Sequence, residues 1–477
     1  MLFNSLEFLF VFLPIVFVVY FSLNKFKKYG FAKFWLLLAS LFFYGFYNPE
    51  YLWIILSSIL FNYLIGLFML KEHLRFGASK KIVLIFGLIG NLALLCYYKY
   101  WNFLIDCFNS LANQHFNTMQ LLLPLGISFF TFQQISYIVD CYKGDAKHTN
   151  IIDYALFVTF FPQLIAGPII HHKEIIPQFE DESKKQIIQS NISLGLFLLT
   201  IGLVKKVLLA DAFNPFIDSS ILDLGVIGTD FANSWFLALS IGSQGYFDFS
   251  GYCDMALGLG YLFNITLPIN FNSPYKSMDI SDYWRRWHIT LGRFLKNYVY
   301  IPLGGSRAGT FNTYRNLMIV FILTGIWHGA NWPCVTYGLV NGVLVCINKF
   351  WRGLNIEINK YLAIAITFTT MIFIAPLVLI KTMDKIFLVW QSMVGYHTTF
   401  APIELGNSML KFGTGSELSV WLMAISLIII FAFPNSCELA EKYLKWNKPA
   451  LTVLLAVLFI YASMNITHTT RFIYFQF

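Results

Sequence analysis

Charged residues are scarce in this chain, and their scarcity excludes an ordinary soluble protein. Only 12% of its 477 residues are Asp, Glu, Lys or Arg, whereas a soluble domain carries roughly 25%. No Ser/Pro-rich linker or low-complexity stretch divides the chain, and apolar runs of spanning length recur throughout it. The composition predicts an all-α, polytopic integral membrane protein, a single domain over 1–477 with about ten to twelve crossings.

Several motifs that carry chemistry in other proteins are absent. The seven cysteines are odd in number and include no Cys-x-x-Cys pair, which favours buried thiols over disulfides or a metal site. No Gly-x-Ser-x-Gly elbow, Walker A loop or dinucleotide fingerprint occurs, which disfavours a serine nucleophile, an ATP-driven pump and a Rossmann enzyme. We expect neither a metal nor a bound cofactor.

The basic residues lie in alternate loops, which indicates an orientation in the membrane rather than nucleic-acid binding. The formal net charge is only +8. Basic residues follow the first, third and fifth apolar runs: Lys25, Lys27, Lys28 and Lys33; Lys71, Arg75, Lys80 and Lys81; Lys143 and Lys147. The connections at 48–50 and 101–119 carry almost none. The positive-inside rule therefore places the N-terminus outside the cytoplasm.

Residues 1–24 lack a basic start and a cleavage site, so we expect a retained helix, not a signal peptide.

Three apolar stretches contain helix breakers. Residues 160–168 hold two prolines and a glycine, and irregular backbone at membrane depth survives only where protein or a water-filled cavity satisfies it. We therefore expect a re-entrant element there. The runs at 232–263 and 316–347 are too long for one span, and we expect a break in each.

His288 lies in a segment that reads as one amphipathic helix over 283–298. At helical spacing Trp284, His288, Leu291 and Leu295 share a stripe, and the polar residues fall on the other side. A surface helix does not need an imidazole in its apolar stripe. His288 is therefore either a hydrogen-bonded structural histidine or a functional one.

His328 lies in the Gly/Pro-interrupted break of the 316–347 run. Basic residues flank this run on both sides, and the length between the flanks is short of the roughly 40 residues that two spans need. The break should therefore lie within the membrane, where an ionisable residue is a functional candidate. A general base that takes a proton from a hydroxyl is the commonest task for such an imidazole.

Four aspartates precede the segment that carries His288: Asp248, Asp254, Asp279 and Asp282. They could bind a metal, but no supporting ligand spacing accompanies them. Helix caps and salt bridges to Arg285 and Arg286 are the interpretation we favour.

Eight blocks of sequence carry a resemblance to a known family. They are 124–132 (PLGISFFTF), 161–168 (FPQLIAGP), 202–206 (GLVKK), 248–256 (DFSGYCDMA), 284–291 (WRRWHITL), 300–305 (YIPLGG), 327–330 (WHGA) and 472–477 (FIYFQF). In this order they resemble the membrane-bound O-acyltransferase (MBOAT) family. The chain is similar to its bacterial branch, which includes alginate and peptidoglycan O-acetylation proteins and the D-alanyl transfer protein of teichoic acid synthesis. The branch usually reads Arg-Asp-Tyr where this chain has Lys296-Asn297-Tyr298.

The resemblance implies a ring of tilted spans around a funnel-shaped centre, with the signature blocks concentrated in 120–345. It implies that His328 is the catalytic histidine and His288 the second, supporting one. We place the substrate contacts at the following five residues: Trp327, Asn331, Arg285, Arg286 and Asn297. Trp327 and Asn331 flank His328 and would orient it, although packing is the simpler role for the tryptophan and the one we favour.

The implied reaction moves an acetyl group from a cytoplasmic thioester, acetyl-CoA, to an exported envelope polysaccharide, peptidoglycan first and an alginate-like glycan second. The implied location is the bacterial inner membrane. We expect an exported esterase-like partner, with Tyr474 as a relay candidate against the simpler alternative of an aromatic anchor at 472–477. The rival hypothesis is a transporter or flippase of an acyl donor or lipid-linked sugar that performs no chemistry.

Overall fold

The computed structural model describes residues 1–70, 77–147, 149–224, 230–307, 309–396, 416–445 and 449–466. Within these ranges the regular structure is entirely helical, and one isolated antiparallel bridge joins Phe271 to Trp287. The all-α class expected from the composition is confirmed. Lys71, Arg75, Tyr474 and the block 472–477 lie outside the described residues.

The helices of the first half, in chain order, are α1 (Leu13–Lys25), α2 (Tyr29–Gly45), α3 (Glu50–Leu70), α4 (Gly77–Leu95), α5 (Trp101–Ala112), α6 (Ile127–Lys143), α7 (Ile151–Thr159), α8 (Phe161–Leu164), α9 (His172–Glu180), α10 (Gln189–Val204) and α11 (Asn214–Asp223). Those of the second half are α12 (Phe231–Leu262), α13 (Ile280–Arg286), α14 (Ile289–Leu295), α15 (Thr310–His328), α16 (Trp332–Gly353), α17 (Lys360–Ile374), α18 (Pro376–Leu379), α19 (Met383–Met393), α20 (Ser416–Ala432), α21 (Ser436–Lys445) and α22 (Pro449–Met464). π-Helical turns precede α1 (Phe8–Phe12), join α4 to α5 (Cys96–Tyr100) and follow α10 (Lys205–Ala210) and α14 (Lys296–Tyr300).

Six helical stretches of the described residues are long and apolar enough to cross a bilayer. They are Phe8–Lys25, Glu50–Leu70, Ser79–Ala112, Gln189–Leu222, Trp332–Gly353 and Lys360–Leu379. The pair α20 and α21, bent by 67°, makes a seventh if it counts as one span. Large apolar side chains on these helices are exposed, among them Trp53 and Phe86, as a lipid-facing surface requires. This is a multi-pass membrane protein; the ten to twelve crossings and the ring arrangement stay predictions.

The structure has more continuous helix at two places than the sequence predicted. The 232–263 run forms the single 32-residue helix α12, because its glycines admit neighbouring backbone instead of ending the helix. A Cβ added at Gly251 would lie 2.8 Å from the carbonyl oxygen of Gly202. Residues 101–112 of the connection expected at 101–119 are helical, since α5 continues to Ala112.

The chain groups into two compact units. The first comprises the described residues of Met1–Leu199, Cys253–Ile269 and Tyr443–Asn447. Its core includes buried polar contacts of the kind that hold membrane helices together. The amide of Asn62 donates to Gln134 (3.1 Å) and accepts from Asn91 (2.6 Å), which joins α3, α6 and α4.

The predicted break at 160–168 is confirmed in the first unit. Helix α7 ends at Thr159, α8 is one turn, and no further helix begins before α9. The side chains from Phe160 to His172 are buried throughout. The placement of this element at membrane depth stays a prediction.

The second unit comprises the described residues of Thr200–Tyr252, Asn270–Lys442 and Lys448–Phe477. It contains both candidate catalytic histidines.

All seven cysteines lie in the described residues and none forms a disulfide. Three are buried, Cys141, Cys253 and Cys334, whereas Cys96 is exposed.

Candidate active site

His328 is the last residue of α15, at the turn of a tight helical hairpin. Gly329–Asn331 connect it to α16, so the predicted break at this histidine is confirmed. The two helices approach closely because both carry glycine at the contact. A Cβ on Gly325 would lie 2.3 Å from the carbonyl oxygen of Cys334, and one on Gly338 would lie 2.4 Å from that of Phe321. The hairpin therefore fixes where the imidazole is presented.

The single helix expected over 283–298 was wrong, because the chain breaks at His288. Helix α13 ends at Arg286, Trp287 is extended, and His288 adopts the left-handed conformation (φ 48°) before α14 begins. Local pairing stabilises the break: Asn272 N donates to Arg286 O (2.9 Å) and Ile289 N donates to Asn270 O (3.0 Å). A non-glycine residue at positive φ is strained, and such strain concentrates at functional sites.

The same pairing brings the amide of Asn270 to the imidazole of His288. Asn270 Oδ1 accepts hydrogen bonds from the Thr290 amide N–H (3.1 Å) and the Thr290 hydroxyl (3.0 Å), and it lies 3.2 Å from His288 Nδ1. An amide oxygen can only accept, so Nδ1 of His288 carries the proton. In the neutral ring Nε2 is then the basic nitrogen.

Burial keeps His288 neutral. Its side chain is 1% exposed, and its ring contacts Phe249 edge-on, at 4.8 Å between centroids. Burial lowers the pKa of His288 well below its usual value, and a charge on His328 lowers it further. His288 is therefore an uncharged imidazole with a defined tautomer near neutral pH.

The two histidines lie next to each other. Their ring centroids are 6.4 Å apart, and Trp327 contacts both rings, at 5.6 Å from His288 and 5.1 Å from His328. Tyr337 of α16 lies 6.1 Å from the ring of His328. His328 is 8% exposed. The arrangement is a pair of buried imidazoles enclosed by aromatic rings.

A cavity of about 700 Å³ opens at His288. Trp284, Phe321 and Thr324 form part of its wall, and Arg285, Lys296 and Asn297 supply polar groups. His328 is not among the lining residues. A mainly apolar cavity with a few convergent polar groups is the usual form of a small-molecule site.

The five residues predicted to contact substrate divide into three groups. Arg285 and Asn297 line the cavity. Trp327 lies against both histidine rings, and the other two make structural contacts: Asn331 accepts from the Cys334 amide as the cap of α16 (2.9 Å), and Arg286 pairs with Asp282 (3.1 Å). Contact of any of them with substrate stays a prediction.

The interpretation of the aspartates near His288 as caps and salt bridges is confirmed for two of them. Asp279 Oδ1 accepts from the Asp282 amide (2.8 Å) as the cap of α13. The carboxylate of Asp282 lies 3.5 Å from Arg285 Nη2 as well as near Arg286. These contacts stabilise α13, which ends two residues before His288.

Sequence reasoning missed two features beside the histidines. Asn270 lies 18 positions before His288 in an unremarkable stretch, and no spacing rule identifies it. Lys206 forms a buried ion cluster with Asp211 (2.6 Å) and Asp248 (2.7 Å). Asp248 directly precedes Phe249, whose ring contacts the imidazole of His288. The ion cluster therefore fixes the backbone next to this aromatic contact.

Comparison with known proteins identifies the family of this chain. The family model described as MBOAT, membrane-bound O-acyltransferase family, matches residues 142–358. A peptidoglycan O-acetyltransferase of Helicobacter pylori is 41% identical over 100% of this chain and 98% of its own length. A probable alginate O-acetylase of Pseudomonas putida is 32% identical over 100% of both chains. A teichoic acid D-alanyltransferase of Bacillus subtilis is 28% identical over 61% of this chain and 76% of its own length. The chain belongs to the membrane-bound O-acyltransferase family and is an O-acyltransferase.

Proposed function

We propose that this O-acyltransferase takes an acetyl group from cytoplasmic acetyl-CoA and delivers it across the inner membrane for O-acetylation of an exported envelope polysaccharide. Peptidoglycan is the first candidate and an alginate-like glycan the second. The names of the relatives support these acceptors, since one that matches the full chain is a peptidoglycan O-acetyltransferase and another is a probable alginate O-acetylase.

The observation that carries the proposal is the pair of adjacent buried imidazoles, one of which lines a cavity. A thioester is already activated, so its transfer needs mainly a base and the exclusion of water. In the reaction the acceptor hydroxyl loses its proton to the base, a C–O ester bond forms, and the C–S bond breaks. The thiolate then recovers a proton and leaves as the free thiol of CoA.

The electrostatics favour a division of labour between the histidines. Burial lowers the pKa of His288, and a charge on His328 lowers it further, so His288 stays neutral when His328 takes up a proton. We assign His328 as the general base. His288 stays neutral and offers Nε2 as a hydrogen-bond acceptor, held in that orientation by Asn270.

The cavity offers groups suited to the donor. Arg285 has a side chain that is 63% exposed and lines the cavity with Lys296. Two cations at a partly exposed position suit the phosphates of a CoA ester. The apolar wall that includes Phe321 suits the uncharged part of the same molecule.

A bulky glycan cannot enter a site as enclosed as His328, which is 8% exposed. We therefore infer that the acetyl group leaves on a smaller hydroxyl carrier or on a docked, exported esterase-like enzyme that completes the transfer. The second route is the one we propose.

The proposal is tested on the envelope of cells that carry only the His328→Ala variant at native abundance. We expect ester-linked acetate to disappear from the purified peptidoglycan, and a Lys360→Met variant, changed at the exposed first residue of α17, to keep it. Unchanged acetylation of peptidoglycan with loss from another exported glycan would move the acceptor to that glycan. Unchanged acetylation of all glycans would overturn the proposal.

A further inference from the structure

A second cavity, of about 610 Å³, lies in the first unit, where α1 ends. Its wall comes from the last turns of α1, the turn that leads to α2, and residues 182–187. Helix α1 belongs to a candidate membrane span that ends at Lys25. The cavity therefore lies where a span meets an aqueous face.

The two ends of this cavity differ in chemistry. Phe17, Val18 and Phe21 on the span, with Ile187 opposite, form an apolar wall. The other end carries Lys25, Lys27 and Lys185 against one carboxylate, Glu182, a formal net charge of +2 from three lysines and one glutamate. An apolar wall beside a cationic end fits an anionic amphiphile.

Lys185 is the buried member of the cationic end. Its side chain is 7% exposed, and its ammonium donates to the carbonyl oxygen of Phe179 at 2.5 Å. Burial lowers the pKa of Lys185 to about 8, and the charge of Lys33 contributes. An ammonium has three donors, so two remain to meet an anion in the cavity.

Asn24 is a buried residue in the wall of this cavity. It is 4% exposed, and neither its Oδ1 nor its Nδ2 atom has a hydrogen-bond partner among the described residues. The Tyr20 hydroxyl lies near this amide but outside hydrogen-bond geometry. A buried amide without partners costs free energy that a bound ligand recovers. Because it presents both a donor and an acceptor, the ligand must offer both as well.

We propose that this cavity binds a phosphate ester whose alcohol part carries a hydroxyl or ammonium donor. Lys185, Lys25 and Lys27 pair with the phosphate, Asn24 Nδ2 donates to a phosphate oxygen, and Asn24 Oδ1 accepts from the donor of the alcohol part. Two sources share this chemistry: the headgroup of an anionic glycerophospholipid, whose chain would lie on Phe17 and Phe21, and a soluble glycerol phosphate.

The test measures ligand binding to the purified full-length protein by native mass spectrometry. The probes are phosphatidylglycerol, phosphatidylcholine, which has no net charge and no headgroup donor, and glycerol 3-phosphate. The variants are Lys185→Met and Asn24→Leu. The matched control is Lys147→Met, because Lys147 is an exposed lysine outside the cavity wall, in a loop predicted to be cytoplasmic. Thermal unfolding of each ligand-free protein is recorded in parallel.

We expect phosphatidylglycerol to bind in preference to phosphatidylcholine, with a loss of affinity of about tenfold or more in Lys185→Met and no loss in Lys147→Met. Asn24→Leu should also lose affinity, yet unfold at a higher temperature without ligand, because it removes a buried amide that has no partner. A purely structural asparagine would lower the unfolding temperature instead.

Binding of phosphatidylglycerol alone identifies a lipid as the ligand, and comparable binding of glycerol 3-phosphate identifies a soluble ester. Equal binding of both lipids, or equal losses in Lys147→Met and Lys185→Met, would overturn the proposal. These results do not depend on acyl transfer, so they are separate from any failure of the proposed function.

Discussion

The imidazole of His288 and the side-chain amide of Asn270 lie 3.2 Å apart, between Nδ1 and Oδ1. The same amide oxygen accepts hydrogen bonds from the backbone N–H and the hydroxyl of Thr290. These two donors show that the oxygen of the amide, and not its nitrogen, faces His288. This contact decides which nitrogen of His288 is basic, and it depends on the break between α13 and α14. A continuous helix through His288 would not place the imidazole against the 270–272 segment.

Asn270→Asp should change the pH dependence of acyl transfer. A carboxylate beside Nδ1 raises the pKa of His288 by about one to three units. Activity requires neutral His288 and is lost as pH falls through that pKa. In the wild-type protein the pKa is held well below its usual value, so the loss occurs at low pH. In the variant it should occur at correspondingly higher pH, as measured by CoA release between pH 5 and about 9.

The matched control is Asn272→Asp, two residues along the same segment, whose side chain accepts a hydrogen bond from Asn435. Its pH profile should match that of the wild-type protein. A common shift in both variants, or no shift in Asn270→Asp, would show that Asn270 does not set the protonation of His288.

Lys206→Met should destabilise the fold. The substitution leaves the carboxylates of Asp211 and Asp248 buried without the cation that lies 2.6 and 2.7 Å from them. Removal of one partner of a buried ion pair costs about 3–5 kcal/mol. The unfolding temperature should therefore fall clearly, and Asp248→Leu in the same chain should restore part of it.

Lys360→Met is the control, because Lys360 is exposed at the start of α17. It should unfold at the wild-type temperature. Unfolding of Lys206→Met at that temperature too would show that the cluster does not stabilise the protein.

Reporter fusions test the orientation. Fusions within 25–33, 71–81 and 141–150 should report cytoplasm, and one at 113–118, beyond the end of α5, should report the outside. The reason is the alternation of Lys and Arg between loops. A cytoplasmic signal from 113–118 would refute the predicted topology and the argument that the His328 hairpin lies within the membrane.

Composition and resemblance together predicted the helical class, the family, and the break at His328, where glycine and proline interrupt the apolar run. Periodicity failed at His288, because the residues at 284–295 keep helical spacing although tertiary pairing of Trp287 with Phe271 breaks the helix. The length of the 232–263 run also predicted a break, which was wrong, because the glycines of α12 serve close backbone contacts. The contact of Asn270 with His288 could not be predicted from the sequence, because only tertiary pairing brings the two residues together.

The partner hypothesis is tested in vesicles that contain the protein, acetyl-CoA and purified peptidoglycan. We expect no efficient acetylation of the glycan until an exported esterase-like protein is added. The enclosure of His328 is the reason. Efficient acetylation without a second protein would contradict the partner hypothesis and favour direct transfer.

The central claim is that this protein performs acyl transfer through its buried histidine pair, and thioester turnover tests it most directly. The purified protein in vesicles is given acetyl-CoA, and the free CoA thiol is measured for wild type, His328→Ala, His288→Ala and the double variant. We predict a fall of about 10²- to 10⁴-fold for His328→Ala, and a double variant little worse than it, because the histidines act as a unit. Each variant should reach wild-type abundance in the membrane. CoA release from His328→Ala at the wild-type rate would contradict the account, and the absence of release from wild type in the presence of acceptor and partner would favour a transporter.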